Sequence, residues 1–353
     1  MTFRNGVQAR NRVWVAPMTN QQSHTDGALS DDELHWLERR AKGGFGVVET
    51  CAAHVATDGQ GWPGELGVYS DSLVPGLRRL ATTLTEAGAL GVVQIFHGGV
   101  RAPSTLTGQQ PWSATDAEVP NAERPRAGTE GEVLRVIGDF RDAAVRARAA
   151  GFAGVELHGA HGYLLGQFLS SMNTRLDGWG GSLVARARLA RECVRAIRSA
   201  LPASFLVGIR LSPEDFGNAR GLDLDETLQV ARWLCDDGAD FIHLSLWDVK
   251  RNTRKRPEQH AIPMFRAALP KDATLVAAGG IWTRGDAEAV LALGADAVAL
   301  GRAAIANPDW PRAAAAEAWE PRRPPLTLEE MRERGLSAAF AGYMRNFKGF
   351  VAD

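Results

Sequence analysis

Two hydrophobic periods alternate along this chain. Short apolar, β-branched runs occupy Arg12 to Met18, Gly46 to Ala53, Gly91 to His97, Gly154 to His158, Leu206 to Leu211, Phe241 to Ser245, Thr274 to Ala278 and Ala297 to Leu300. Between them, apolar residues recur every three or four positions over Asp31 to Lys42, Val74 to Ala87, Gly131 to Ala150, Arg186 to Ala200, Leu224 to Asp237, Glu258 to Leu269, Arg284 to Leu293 and Arg302 to Trp319. The first pattern predicts strands and the second amphipathic helices. Strand-then-helix alternation implies parallel strands joined by right-handed crossovers, and eight repeats close more naturally into a barrel than they extend an open sheet. The predicted fold class is therefore α/β, a single (β/α)8 TIM barrel over residues 1–353, with 321–353 as a C-terminal extension. Glycines at 88, 151 and 238 end helices just before a strand, where a left-handed cap suits them. Two connections are long: Gly98 to Glu130 after the third strand and Ala160 to Leu183 after the fourth. Loops after strands gather at the C-terminal mouth, where barrel enzymes place their chemistry.

Composition narrows the partners. Lys plus Arg number 40 and Asp plus Glu 41, so no long-range field favours nucleic acid or anionic lipid, and a small molecule is the expected partner. The three cysteines, Cys51, Cys193 and Cys235, are widely spaced, which argues against a disulfide framework, structural zinc or an iron–sulfur cluster and fits a reducing cytoplasm. The N-terminus lacks an apolar signal-peptide stretch, and no run approaches the roughly 18 apolar residues of a membrane span, so neither export nor a membrane location is expected.

Two constellations carry chemistry. Strand seven ends in Ala278-Gly279-Gly280, and strand eight ends in Leu300-Gly301-Arg302 opening a helix. Loops after strands seven and eight of a barrel are a recurrent phosphate site, where glycines expose backbone N–H groups and an arginine adds a bidentate cation. The bland alternative is that these glycines make tight turns and Arg302 faces solvent. Gly43-Gly44-Phe45-Gly46 lies after a helix and before a strand, the reverse of a dinucleotide-binding turn, so a nicotinamide would bind without a domain of its own. The second constellation is Glu156-Leu-His158-Gly-Ala-His161-Gly-Tyr163. Two imidazoles three residues apart can jointly donate to one substrate oxygen, with Tyr163 as a nearby proton source. A metal pair is the rival reading, but no third histidine or cysteine stands at ligand spacing. Backbone-bonded loop histidines are another.

With these motifs in view, the chain resembles the Old Yellow Enzyme family of FMN-dependent ene-reductases from Asn11 to about Trp310. The resemblance rests on Asn11-Arg-Val-Trp-Val-Ala-Pro-Met18-Thr19, Gln94, His97, His158-x-x-His161-Gly-Tyr163, Arg210 and Gly301-Arg302. It implies bound FMN, with NADPH or NADH as a transient hydride donor. It further implies that Ala16, Pro17, Met18 and Thr19 contact the flavin, with Thr19 near C4=O, and that Gln94 addresses the pyrimidine edge. Arg210 would stand beside N1 and C2=O, and Gly279, Gly280, Gly301 and Arg302 would hold the phosphate. Thr50 would touch the flavin where the family usually has alanine or glycine. The segment Phe168 to Arg175 is one residue shorter than the family run. The family's bifunctional reductases add a cysteine-rich cluster region after the barrel, and cluster-mediated electron transfer is not expected here. The aromatic and basic tail Leu336 to Asp353 packs on its own barrel or reaches a neighbouring active site, and a homo-oligomer is a possibility that the resemblance carries.

The implied reaction passes hydride from NAD(P)H through the flavin to an α,β-unsaturated carbonyl compound. His158 and His161 would bind the carbonyl oxygen and Tyr163 would protonate the α-carbon. Two alternatives stay open: a quinone or nitro reductase on the same flavin site, and a flavin-free phosphate-binding barrel isomerase. Trp62, Trp112 and Trp247, in loops after strands, are candidates to line the pocket.

Overall fold

The computed structural model describes residues 1–352. Eight parallel strands form one closed barrel: β1 (Val13–Val15), β2 (Val47–His54), β3 (Leu90–Phe96), β4 (Gly154–His158), β5 (Leu206–Leu211), β6 (Phe241–Ser245), β7 (Thr274–Ala278) and β8 (Ala297–Leu300). Each pairs with its neighbour in sequence, and β1 closes the ring between β2 and β8, with Val15 opposite both Val48 and Leu300. The crossover helices are α1 (Asp31–Gly43), α2 (Val74–Glu86), α3 (Glu130–Ala150), α4 (Leu183–Ala200), α5 (Leu224–Asp236), α6 (Ala261–Ala268), α7 (Arg284–Ala292) and α8 (Arg302–Ala306).

Caps explain most helix bounds. Thr129 and Thr283 begin α3 and α7 with capping boxes that satisfy N–H groups at both ends of the box. Where the pattern suggested one helix over Arg302 to Trp319, the structure has α8 and then a separate turn of helix, Trp310–Ala313. Pro308 is the physical reason: its ring forces the preceding Asn307 out of helical geometry, to φ −136. Among the described residues no helix is long and apolar enough to cross a membrane.

The barrel interior is layered. At the N-terminal end, Phe3 packs against Trp14 and Phe241, whose rings meet edge-on at 5.2 Å, and Val47, Val92, Leu206 and Val276 complete a dry plug. Space is tight enough that a Cβ on Gly208 would come within 2.1 Å of the Phe241 ring, so only glycine fits β5 at this layer. Above the plug the interior turns polar, with Glu49, Gln94, Glu156, Arg210 and His243 all buried. A register shift between Glu49 and Ala52 of β2 inserts an extra residue, so Glu49 opposes Val92 and Ala52 opposes Gln94. Above this polar layer a cavity opens at the C-terminal mouth.

Polar anchors shape that mouth. Gln167, on the short helix Leu164–Leu169, accepts from Val100 N and Ser113 Oγ and donates to Gly98 O and Gly162 O, tying the connections after β3 and β4 together. The tail folds back as α9 (Leu328–Glu333) and α10 (Ala338–Met344), held by Phe340 edge-on to Trp36 at 5.3 Å. The fully buried Arg40 stacks over Trp36 and donates to the carbonyls of Ala304, Ile305 and Arg334. A cation on the last carbonyls of α8 suits the negative end of that helix, and it locks the β8 loop to the tail.

Candidate active site

The cavity at the mouth encloses about 480 Å³, within the range of small-molecule sites. The end of β1 supplies Ala16, Pro17, Met18 and Thr19 along one wall, Gln94 and Arg210 reach it from β3 and β5, and His158, His161 and Tyr163 from the end of β4. Gly279, Gly280, Gly301 and Arg302 line it from the ends of β7 and β8, next to the end of β1. Thus the structure brings together the residues assigned from the sequence to cofactor and substrate, with the exception of Thr50.

Thr50 is fully buried away from the cavity. Its hydroxyl donates to Cys51 O at 2.7 Å and accepts from Gln94 N at 3.3 Å. Val47 and Glu49 face the barrel interior, so the alternation of a strand already turns Thr50 away, and the extra residue gives the next inward place to Ala52 rather than Cys51. Trp112 also lies elsewhere: it is buried and its Nε1 donates to Asp58. Trp62 and Trp247 do line the cavity, the latter 68% exposed and tilted against Phe216 at 4.1 Å. His97 anchors the β3 loop instead, accepting from Gly99 N and facing Asp58 at 3.5 Å.

The two histidines converge. His158 Nε2 and His161 Nδ1 are 3.3 Å apart, and His161 reaches this position through a left-handed backbone, φ 61, followed by Gly162 at φ 74. Both rings are held neutral. Burial pushes His158 well below the usual imidazole range, with His161 and Arg210 adding to it, and burial with Arg210 and His243 pushes His161 down to about 3. Each imidazole therefore has one N–H to give. His161 Nε2 lies 2.7 Å from Ser245 Oγ, and the same oxygen accepts from Arg210 Nη2 at 3.3 Å. With Arg210 as donor to its oxygen and no other acceptor for its proton, Ser245 satisfies all its groups by donating O–H to Nε2. That leaves the His161 proton on Nδ1, beside His158 Nε2. Tyr163 packs edge-on against Phe96 at 4.9 Å, and burial raises its phenol above the ordinary range, so it carries its proton.

Sequence reasoning missed Ser245, Ala52 and Asn218. The one signal for Ser245 was a hydroxyl closing the apolar run Phe-Ile-His-Leu-Ser. The tail contributes Tyr343, Met344 and Phe347 to its own barrel's cavity, with Tyr343 within hydrogen-bonding reach of Thr19.

The family model described as NADH:flavin oxidoreductase / NADH oxidase matches residues 1–319. The chain is 39% identical over 317 residues to the probable NADH-dependent flavin oxidoreductase YqiG of Bacillus subtilis (strain 168), covering 88% of this chain and 85% of that protein. It is 34% identical over 321 residues to 12-oxophytodienoate reductase 1 of Oryza sativa subsp. japonica, covering 87% and 82%. It spans only 32% and 35% of two longer curated relatives. The solved old yellow enzyme homologue from Zymomonas mobilis superposes with a TM-score of 0.83 at 27% identity, covering 94% of both chains.

Proposed function

The chain belongs to the Old Yellow Enzyme family of NADH:flavin oxidoreductases, and from that premise we propose that it reduces the activated C=C bond of α,β-unsaturated carbonyl compounds. It is an NAD(P)H-dependent FMN oxidoreductase acting on CH–CH groups. The observation that carries the substrate class is the convergence of His158 Nε2 and His161 Nδ1, 3.3 Å apart at the cavity, with the Tyr163 phenol alongside.

The residues fit FMN. Arg210 Nε is buried and has no protein partner, which suits a polar ligand atom at the cavity floor. Gly279 and Gly280 adopt backbone conformations, φ 149 and 66, that side chains rarely reach, and they bring main chain rather than side chain to the cavity wall at the end of β7. Gly280, Gly301 and Arg302 would hold the phosphate, Gln94 and Arg210 the pyrimidine edge, and Thr19 with Ala16, Pro17 and Met18 the remaining edge and face of the ring. FMN, when bound, takes hydride from NADH or NADPH and passes hydride to the substrate's β-carbon.

The protein's own residues do the rest. His158 and His161 donate to the carbonyl oxygen, drawing electron density away and making the β-carbon electrophilic. Neutral rings suit this task, since a neutral donor binds the ketone without demanding a counter-ion in a dry pocket. Ser245 keeps the His161 proton on the nitrogen that faces the substrate. Tyr163 supplies a proton to the α-carbon. Trp62, Tyr343 and Phe347 exclude water from this face.

The test is an anaerobic absorbance titration of the purified protein, first with NADPH or NADH and then with 2-cyclohexenone. Flavin bands that bleach with nicotinamide and recover with the enone are expected. Recovery with quinone, nitro compound or oxygen but not enone would replace the alkene with one of those acceptors. A colourless protein that binds no added FMN would restore the phosphate-binding barrel reading.

A further inference from the structure

Beneath the cavity floor lies a cluster of ionisable side chains that the reaction above leaves without a task. Glu49, Glu156 and His243 are each fully buried, and their ligand atoms all lie within 4.8 Å of one another. Glu156 faces His243 Nδ1 at 2.7 Å through one oxygen and accepts from Gln94 Nε2 at 2.7 Å through the other. Glu49 stands 3.6 Å from the same imidazole nitrogen, and neither of its oxygens has a hydrogen-bond donor. Around this group, β2 supplies Glu49, β4 supplies Glu156 and His158, β5 supplies Arg210 and β6 supplies His243, with His161 above.

Charge decides the protonation pattern. Two carboxylates against the single guanidinium of Arg210, with a neutral imidazole between them, would bury one uncompensated negative charge. A proton kept on Glu49 removes that charge and gives Glu49 something to donate to Glu156. Burial and the neighbouring Glu156 both push Glu49 well above the carboxylate range. Burial also works against ionised Glu156, but His243, Arg210 and Gln94 outweigh it and hold that carboxyl low.

The same argument turns the Gln94 amide. A carboxylate offers no hydrogen, so Gln94 must present its NH2 to Glu156. One N–H and the carbonyl oxygen are left for the cavity. An acceptor beside a donor is the complement of a pyrimidine edge, in which N–H is flanked by C=O.

We propose that Glu156 is a positioning residue, a carboxylate that orients Gln94 and counterbalances Arg210, and that Glu49 is its neutral acid partner, together limiting the positive charge presented to the cofactor's pyrimidine edge. This rests on the reading that FMN occupies the cavity.

The experiment compares wild type, Glu49→Gln and Glu156→Gln by flavin midpoint potential and FMN affinity across pH 6 to 8, with an infrared spectrum of each. Glu156→Gln removes the negative charge and frees the Gln94 amide to turn over. We expect reduced FMN to be bound about tenfold more tightly relative to oxidised FMN, an upward shift of about 30 mV for two electrons. Glu49→Gln replaces a neutral acid with a neutral amide, and the potential should stay where it is. The wild-type infrared spectrum should hold a protonated-carboxyl band at pH 8 that Glu49→Gln abolishes. An equal upward shift in both variants, or no shift in Glu156→Gln, overturns the proposal. So does a stoichiometric divalent metal in wild type that Glu49→Gln loses. If Glu156→Gln fails to fold, the infrared band and Glu49→Gln decide. A wild type that binds no FMN overturns the cofactor reading and with it the positioning role, while the infrared band still tests the acid pair by itself.

Discussion

His158 and His161 stand where β4 gives way to its loop and face a cavity, whereas His243 lies one layer lower on β6, sealed between Glu49 and Glu156. All three rings are pushed toward the neutral form, and burial is the leading cause for each. They differ in partners. The lower ring has a carboxylate at 2.7 Å, so its N–H is consumed by the protein. The upper pair faces only another imidazole and a serine hydroxyl, so N–H groups remain for a ligand. Titration behaviour alone does not separate structural from functional histidines. The separation comes from where the hydrogen bonds end.

The sharpest way to break this comparison is to strip the lower layer. Glu156→Ala leaves Arg210 and His243 without their carboxylate, and we expect about 3–5 kcal/mol less stability by urea denaturation. A loss under 1 kcal/mol would mean that the lower cluster is not an ion-paired unit. In the upper layer, His158→Ala should lower kcat/KM for 2-cyclohexenone by about 10²–10³, the usual consequence of deleting one donor to a developing negative oxygen. Its thermal midpoint should move little, and a large drop would put His158 with the structural group. Tyr163→Phe should slow alkene reduction about 10²-fold while flavin reduction by nicotinamide stays near the wild-type rate. Equal slowing of both half-reactions would remove the proton-donor role.

Acid tests the property that both layers share. The unfolded chain protonates its histidines below about pH 6.5, while folded His161 resists until about 3, so the stability that these rings contribute is complete above pH 6.5 and drains away as pH falls toward 3. Between pH 6.5 and 5 the loss should approach about 1.4 kcal/mol per pH unit for each such histidine, and His161→Asn should flatten the slope by one proton. An unchanged slope in that variant would show that His161 is charged in the folded protein. The smallest expected effect is Ser245→Ala, about fivefold to tenfold in kcat/KM with near-native stability, as expected for loss of one neutral hydrogen bond. Nitrogen-15 spectra of the histidines should then show the His161 proton no longer confined to Nδ1.

Much of this was readable in advance because it is local. The eight apolar runs, the glycines after β7 and β8 and the His158-x-x-His161-Gly-Tyr163 spacing are properties of neighbouring residues. Thr50 failed as an expectation because Glu49 beside it faces the barrel interior, and a single inserted residue in β2 then gives the next inward place to Ala52, which nothing in Glu-Thr-Cys-Ala-Ala announces. The helix over Arg302 to Trp319 overran its end because its apolar period continues past a proline that stops it.

The sequence by itself determined the barrel, the strand ends that carry chemistry and the residue types needed for a phosphate, a carbonyl oxygen and a proton. Backbone periodicity, turn chemistry and donor–acceptor inventory act over a few residues, so they are written in order along the chain. Tertiary structure alone decided that Ser245 would orient His161 across 84 positions, that Glu49 and Glu156 would share one imidazole, and that the tail would close over its own cavity. Those outcomes depend on barrel closure, which brings distant side chains within hydrogen-bond range and excludes the water that would otherwise satisfy them.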